Sequence, residues 1–238
     1  MGVVKNYLTI DGVSSENFNI WISGGATYDS PKRDYDAVPV PGRDGDLIFD
    51  NGRFENMPLK YPAFITREFQ KNIDDFRDFI SSLRGYKRLE DTYHPEQYRM
   101  AFFGDGVSCK TTAANLAGEF DIRFYCKPQR WLKEGEKAVK FTGDGSIKNP
   151  TYQTAKPLLR VYGTGTVRIG TITITISAAD VYTDIDCETM DAYKGAVNCN
   201  ANISTTNDEF PTLKSGTNNI VLAGGVSRVD ITPRWWRV

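Results

Sequence analysis

Apolar and polar residues alternate along the last part of the chain, which is the pattern of a half-buried strand. Val229 and Ile231 share one side of such a strand, and the polar residues beside them share the other. A shorter apolar stretch, residues 219–223, stands before the pair Gly224-Gly225. Because glycine reaches positive φ without strain, this pair predicts a turn. We therefore predict a β-hairpin over residues 219–236.

The rest of the second half repeats short strand-like segments. Glycines separate three of them between residues 158 and 177, namely Gly163, Gly165 and Gly170. In the third segment Ile172, Ile174 and Ile176 face one way and the threonines between them face the other. Short alternating strands with Gly and Asn turns over about 100 residues predict a β-sandwich.

The first half is also rich in strand-like segments, but it contains one amphipathic helix. Apolar residues three or four apart form its stripe, namely Phe69, Ile73, Phe76, Ile80 and Leu83. Such spacing places one face of a helix against a core. Asn72 is the predicted N-cap, and Gly85 is the predicted stop beyond the C-terminus.

A proline- and glycine-rich segment precedes this helix. Pro39 and Pro41 keep the residues before them extended, and Arg43-Asp44-Gly45 predicts a tight turn into an apolar strand. Asp50-Asn51-Gly52 predicts a further turn. Periodicity fades between residues 128 and 136, so we predict an N-terminal domain over 1–136 and a C-terminal domain over 137–238.

Composition narrows the classes of function. The 238 residues carry a formal net charge of −1, which gives no overall attraction to nucleic acid or to an anionic membrane. The four cysteines are far apart and there is one histidine, His94, so no metal site is predicted. The chain begins without a secretory pattern, and the thiols suit a reducing cytoplasm. Cys126 is predicted to be a buried, unreactive thiol.

Motifs for catalysis are lacking from the sequence. It has no GxSxG elbow and no P-loop, and His94 lies in a polar stretch typical of a surface loop. The spacing of Asp184 and Asp186 places both carboxylates on one face of a strand, about 7 Å apart. Such pairs are common on solvated faces, so we predict no enzyme activity, no catalytic residue and no cofactor.

Aromatic residues of the second half leave a binding function open. Aromatic rings stack on sugar rings, and Tyr182, Tyr193 and Trp235 are the candidates for such stacking. Trp235 and Trp236 are adjacent on the last strand, so one is expected to point into the core and the other outward. A carbohydrate-binding module therefore remains the alternative function.

Five segments follow one another along nearly the whole chain in an order that matches a known family. They are GRDGDLIFDNGRFENM, the helix ending before Gly85, NPTYQTAKPLLRVYGTGTVRIG, VYTDIDCETMDAY and the final FPTLKSGTNNIVLAGGVSRVDITPRWWRV. Together they resemble the distal tail protein (Dit) family of long-tailed, siphovirus-type phages. The resemblance implies a mainly β protein, with an N-terminal domain that forms a hexameric ring and a C-terminal galectin-like β-sandwich.

The resemblance also implies a function. Such a homo-hexamer is the hub between the tail-tube protein and the tip or tail-associated proteins, and DNA passes through its channel only as cargo. The protein would be assembled in the host cytoplasm and reside at the distal end of the virion tail, with no membrane partner. Ring closure needs a head-to-tail interface. Arg43 and Asp44 are the candidates for it, because a guanidinium can bond a neighbour's carboxylate bidentately.

Overall fold

The computed structural model describes residues 5–23, 29–111 and 116–238, and the chain divides into two compact units. The first unit comprises Met1–Arg130 together with Val238, and the second comprises Trp131–Arg237. Compactness alone does not show that a unit folds independently. The domain boundary at residue 136 therefore stays a prediction.

The first unit is built from short strands and one long helix. Its elements in chain order are β1 (Leu8–Ile10), β2 (Val13–Ser14), a 3₁₀ turn (Ser15–Phe18), β3 (Ile20–Ile22), β4 (Arg33–Pro39), β5 (Asp46–Phe54), β6 (Met57–Ile65), α1 (Phe69–Ser82), β7 (Lys87–Asp91), β8 (Gln97–Phe102), β9 (Cys109–Thr111) and β10 (Gly118–Cys126).

Most of these strands form one sheet. Its order is β2-β1-β7-β8-β10-β6-β3, and β9 pairs with β10. The centre is the antiparallel pair β6–β10, in register from Gly118 opposite Ile65 to Cys126 opposite Met57. Both strands alternate buried and more exposed residues along their length. One face of the sheet is therefore a core face, and the other meets solvent.

Helix α1 covers the core face through the predicted stripe. Phe69, Ile73, Phe76 and Ile80 are all buried, which confirms the packing of the stripe. The Phe76 ring lies 5.6 Å from that of Phe18 and 6.2 Å from that of Phe120, measured between centroids. Phe76 is fully buried, so it anchors the helix to the sheet.

The helix begins earlier than predicted, and Asn72 is not its N-cap. Glu68 occupies that position with a φ of 45°. The Asn72 side chain is buried and its Nδ2 donates to the carbonyl of Arg67 at 2.8 Å. The apolar stripe already includes Phe69. Packing of this ring extends the helix by a turn toward its N-terminus and outweighs the preference of Asn72 for the N-cap position.

The second unit consists of strands and short turns. Strand β11 (Arg130–Leu132) lies where the first unit ends along the chain. The elements that follow it are a 3₁₀ turn (Lys133–Glu136), β12 (Val139–Phe141), β13 (Gly145–Asn149), β14 (Leu158–Tyr162), β15 (Gly165–Ile169), β16 (Ile172–Ile176), β17 (Tyr182–Asp186), β18 (Asp191–Lys194), β19 (Val197–Asn198), a 3₁₀ turn (Asn200–Asn202), β20 (Ile203–Thr205), a 3₁₀ turn (Thr206–Asp208), β21 (Gly216–Gly224), β22 (Arg228–Thr232) and β23 (Trp236–Arg237).

Two sheets enclose the core of this unit. One has the order β12-β22-β14-β17-β18-β19, and the other has the order β13-β21-β15-β16-β20. Their inward residues form one apolar cluster that includes Val161, Val167, Ile174, Ile185 and Ile231. The second unit is thus the predicted β-sandwich. Its description as galectin-like stays a prediction.

The predicted C-terminal hairpin is wrong. Strand β21 pairs with β13 and β15 in one sheet, whereas β22 pairs with β12 and β14 in the other. The Gly224-Gly225 turn therefore carries the chain between sheets. Both strands need an apolar neighbour on one face only, and a sandwich satisfies that need without pairing the two strands to each other.

Glycine is required where the chain crosses between the sheets. A Cβ on Gly163 would lie 2.2 Å from the carbonyl oxygen of Gly225, and one on Gly165 would lie 2.3 Å from that of Ala223. Both glycines also have positive φ, at 91° and 136°. The glycine run that separates strands in the sequence thus permits a close approach of backbones.

Residues before the predicted boundary pack against the end of the sandwich. Leu132 N donates to the carbonyl of Trp235 at 2.9 Å, and Arg234 N donates to that of Gly135 at 2.8 Å. A Cβ on Gly135 would lie 2.3 Å from Trp235 N, so only glycine fits there. The segment 131–136 therefore belongs to the packing of the second unit.

We expect fragment 131–238 to fold alone and to be more stable than fragment 137–238. The shorter fragment lacks two backbone hydrogen bonds and uncovers Trp235. This loss should lower the free energy of unfolding by about 2–4 kcal/mol. Urea unfolding and amide NMR of both fragments measure it. Equal stability would show that the 131–136 segment contributes nothing, and a disordered spectrum for both would refute independent folding.

We expect Phe76→Ala to reduce the free energy of unfolding by about 3–5 kcal/mol, because it removes a fully buried ring. Chemical denaturation of the full chain measures the change. Asp78→Ala, on the exposed face of the same helix, is the matched control and should change it by about 0.5 kcal/mol or less. A Phe76 effect as small as the control would show that the stripe does not anchor the helix.

Candidate functional site

The hairpin β4–β5 is the most unusual surface of the first unit. The two strands pair with each other in a separate two-stranded sheet. Six apolar side chains on it are between 37% and 54% exposed, namely Tyr35, Val38, Val40, Leu47, Ile48 and Phe49. A two-stranded hairpin is at best marginally stable in water, and large exposed apolar groups mark interaction surfaces. This hairpin is therefore the candidate assembly element.

Polar contacts near residue 50 hold the base of the hairpin. Arg33 Nη1 lies 3.0 Å from Asp50 Oδ2, and Asp34 accepts from Arg53 Nε at 2.5 Å and from Asn51 Nδ2 at 3.1 Å. The hydrogen bonds from Arg53 and Asn51 hold the pKa of Asp34 below its ordinary value. The base is thus held by polar pairs, whereas the residues toward the tip are exposed.

The predicted turn at Asp50-Asn51-Gly52 is wrong. These residues continue β5, and the register shifts between Arg33 and Tyr35 of the opposite strand. Gly52 has a φ of 69°, and its N–H bonds the Asp50 side chain at 2.8 Å. The turn-like residues therefore form a β-bulge, which strengthens the local twist of the hairpin.

Arg43 and Asp44 lie at the tip of the hairpin, where the predicted turn is confirmed. Gly42 and Gly45 beside them have φ values of 76° and 79°. Both charged side chains are exposed, and neither has an ion pair within the described ranges 5–23, 29–111 and 116–238. Their role in an interface stays a prediction.

The sequence pattern predicted the charged tip of the hairpin, but it did not predict that the apolar side chains below the tip are exposed. Three consecutive apolar residues, Leu47-Ile48-Phe49, depart from the alternation of a half-buried strand. In the structure Ile48 points to one face of the hairpin, with Tyr35, while Leu47 and Phe49 point to the other. A run of three apolar residues does not alternate with polar ones, and this feature of the sequence indicates a strand with apolar side chains on both faces.

In the second unit, Tyr182 lies on the outer face of a sheet but its ring is already occupied. The Arg160 guanidinium lies 4.4 Å from the ring centroid, and Lys194 Nζ lies 5.4 Å from it. The Tyr162 ring packs beside it at 5.8 Å. A sugar would have to displace these cations from the ring face, so Tyr182 is not a free stacking platform.

The other two stacking candidates do not form a platform with Tyr182. Trp235 is 4% exposed and belongs to the core of the sandwich, so its proposed stacking role is wrong. Trp236 is the outer of the two tryptophans, and its Nε1 donates to the carbonyl of Thr154 at 3.0 Å. Tyr193 is half-buried opposite Asp184 in the register. The described surface of the sandwich thus offers no cluster of open rings.

Asp184 and Asp186 each form an ion pair with its own arginine. Arg160 contacts both oxygens of Asp184 at 2.7 and 2.8 Å. Arg234 contacts both oxygens of Asp186 at the same two distances. Bidentate pairing of this kind engages both oxygens of each carboxylate. The spacing noted in the sequence therefore reflects cross-strand and end-of-strand ion pairs.

Groups that could bind a metal or act as nucleophiles are dispersed. Across the residues that the structure describes, no three His, Cys, Asp or Glu side chains are grouped for a metal ion. Burial raises the pKa of both Cys126 and Cys187 to about 12, which makes these thiols unreactive. His94 is half-buried, with Nδ1 3.1 Å from Asp91 Oδ1, and is less exposed than expected of a loop histidine.

None of the helices in the described ranges is both long and apolar enough to cross a bilayer.

The architecture defined above is that of a two-unit, mainly β protein with an exposed, separate two-stranded hairpin. Among solved structures it is similar to the Dit protein of SPP1, described as a hub of the adsorption apparatus in phages that infect Gram-positive bacteria. The TM-score is 0.73 at 10% identity, covering 98% of this chain and 99% of that one. No protein-family model and no curated protein sequence matches the chain.

A second similar structure is a chain of the phage P2 baseplate in its activated conformation with Ca. It matches with a TM-score of 0.50 at 12% identity, covering 96% of this chain and 98% of that one. At such identities the likeness concerns the fold. The resemblance to the Dit family and the mainly β fold class are confirmed at that level.

Asp186 gives a prediction about acid stability. Burial opposes its ionisation, but hydrogen bonds from Arg234 and from the N–H groups of Glu188 and Thr189 outweigh burial and lower its pKa. The unfolded pKa is about 3.9. A lowered folded pKa contributes stability above the unfolded pKa, and that stability is lost as the pH falls through the folded value.

We therefore expect Asp186→Asn to lower the free energy of unfolding by about 1–3 kcal/mol at pH 7 and by much less near pH 3. Urea unfolding across this pH range measures both values. Glu188→Gln is the control, because its pair with Lys156 is exposed and worth about 0.5 kcal/mol. A difference from the parent that does not shrink toward pH 3 would contradict the assignment.

Proposed function

We propose that this protein is a structural component of a phage tail. It forms a hexameric hub that joins the end of the tail tube to the tip or baseplate proteins, with a central channel through which DNA passes. The single observation that carries the proposal is the exposed apolar hairpin β4–β5 on a chain with the fold of a phage hub protein.

The hairpin supports assembly because exposure of its apolar side chains to water is unfavourable. Leu47, Ile48 and Phe49 are each about half exposed. Burial of apolar surface yields about 25 cal/mol per Å², so covering both faces of the hairpin against neighbours contributes several kcal/mol. A hairpin that contacts a different surface of the next copy forms a heterologous interface, and such an interface gives a ring when the rotation between copies closes.

Charge and chemistry support a structural role over an enzymatic one. A formal net charge of −1 suits a channel through which DNA moves without being held. The buried thiols are inert, and the best carboxylate pair is engaged by Arg160 and Arg234. The proposal therefore includes residence in the virion at the distal end of the tail, after assembly in the host cytoplasm, and no enzymatic activity.

Sugar binding by the sandwich is the weaker candidate. Cations occupy the ring of Tyr182, and the ring of Trp235 is buried. A glycan-binding role would predict saturable affinity without assembly. Size-exclusion chromatography with light scattering, followed by electron microscopy, separates the two functions, because the hub predicts a particle of six chains. A strictly monomeric protein, even with tube and tip proteins present, would refute the hub.

We expect Arg43→Ala to weaken ring formation by at least tenfold, which corresponds to about 1.4 kcal/mol. The planar guanidinium at the tip would lose its bond to a carboxylate of the neighbour. Arg43→Lys should recover little, because a point charge lacks the two-pronged geometry. Light scattering against concentration gives the midpoint of assembly, and the melting temperature of the monomer should stay unchanged. If both variants assemble like the parent, Arg43 is only a turn residue.

A further inference from the structure

Three neighbouring strands of the main sheet (β8, β10 and β6), together with the residue before β7, carry a line of apolar side chains on the solvent face. Tyr125 stands opposite Phe102 on one side and opposite Pro58 on the other. The Tyr86 ring lies 6.5 Å from that of Phe102, edge to face. We name the set Tyr86, Phe102, Tyr125 and Pro58 the aromatic row. Its three rings are 39%, 40% and 46% exposed.

The aromatic row is held rigidly by the sheet beneath it. The residues that alternate with it, Met57, Ala101 and Cys126, are buried in the core. Asn56 Nδ2 donates a hydrogen bond to the Tyr86 hydroxyl, and Lys127 Nζ lies 5.0 Å from the Tyr86 ring centroid. The rings therefore present a preorganised surface, and little side-chain entropy remains to be lost when it is covered.

The charges of the aromatic row and of the hairpin are complementary at one end. Lys127 is exposed beside Tyr86, at one end of the row. Arg123 lies two residues from Tyr125 along β10 and opposite Lys60, with Asp121 near both cations and with Asp29 and Asp105 lining the cleft beside them. Two cations there stand among three carboxylates, so the Lys127 end is the more basic. Residues 33–54 contain five aspartates and three arginines, a formal charge of −2.

One face of the hairpin matches the row in size and pattern. Phe49 stands opposite Asp36, and Leu47 opposite Val38, so these four side chains share a face. From Asp36 to Val40 the strand rises about 13 Å, and the row, from the start of β7 to β6, spans about 14 Å. Laid across the row, this face would bury Phe49 and Leu47 against the rings and bring Asp36 near Lys127.

We propose that the aromatic row is the docking surface for the β4–β5 hairpin of a second copy of this chain. The proposal rests on the hub function only in requiring that copies associate. Hairpin and row are different surfaces, so the contact is head-to-tail and each copy both donates a hairpin and receives one. Neither surface is covered within a single copy, as their exposed fractions show.

Two complementary variants test the pairing. Tyr125→Asp spoils the row and leaves the hairpin intact, and Phe49→Asp does the reverse. Each alone should be monomeric by light scattering, with a melting temperature close to that of the parent, because both side chains are exposed. An equal mixture has one competent junction per pair, so it should form dimers of one chain of each kind and no ring. Tyr152→Asp, which alters a 96% exposed tyrosine of the second unit, should assemble like the parent.

Each outcome of this experiment either supports or overturns the docking surface. Dimers in the mixture, with monomers in each variant alone, support the pairing, and so does assembly restored by combining Lys127→Glu with Asp36→Lys. Rings formed by Tyr125→Asp, and also by the second row variant Phe102→Ser, would overturn the docking surface and leave the hub intact. A mixture that stays monomeric would overturn it too, since the row would then meet a tube or tip protein instead. A parent that never associates would overturn both proposals.

Discussion

The antiparallel pairing of β6 with β10 is the constraint on which the first unit depends. Nine residue pairs are in register, from Gly118 opposite Ile65 to Cys126 opposite Met57. Because successive side chains point to opposite faces, a slip of one residue would send the core residues to solvent and Tyr125 into the core. The burial of Phe120, Ile122 and Phe124 under helix α1 opposes any such slip. The burial of these side chains fixes the register of the two strands. It therefore also fixes which residues lie on the outer face of the sheet.

The second unit has its own constraint at the ends of its strands. Carboxylates on β17 are bound by Arg160 on the adjacent β14 and by Arg234 in the segment beyond β22, so two ion pairs connect β17 to two other parts of the unit. Glycine allows the backbone of residues 163–165 to approach that of 223–225. These contacts join the end of β14 to the passage between the two sheets. Packing holds the core of the unit, and the two ion pairs engage the carboxylates of Asp184 and Asp186 outside it.

The sequence allowed the elements to be predicted better than their pairing. The stripe of α1 and the alternation of β10 and β16 depend on local periodicity, and the structure has each of them. The hairpin predicted from Gly224-Gly225 failed because a turn signal does not say which sheet the next strand joins. Asn72 failed as an N-cap because the packing of Phe69 outweighed a local preference. The prediction that Trp235 stacks on a ligand failed because two adjacent residues of a strand point to opposite faces, and the sequence does not show which of the two points into the core.

The exposed apolar surface of the hairpin was the hardest part to foresee, because its residues are apolar and lie in strands. Apolar residues in a strand ordinarily indicate a core, and only the structure reveals that Phe49 and Ile48 have none. Polar pairs at Arg33 and Arg53 hold the base of the hairpin. A two-stranded hairpin is only marginally stable in water, and in the proposed hub its tip would gain an apolar environment on association. Folding would then depend on the base of the hairpin and assembly on its tip. Loss of a tip side chain should affect the proposed ring alone, whereas loss of a core side chain in the sheet would affect folding and assembly.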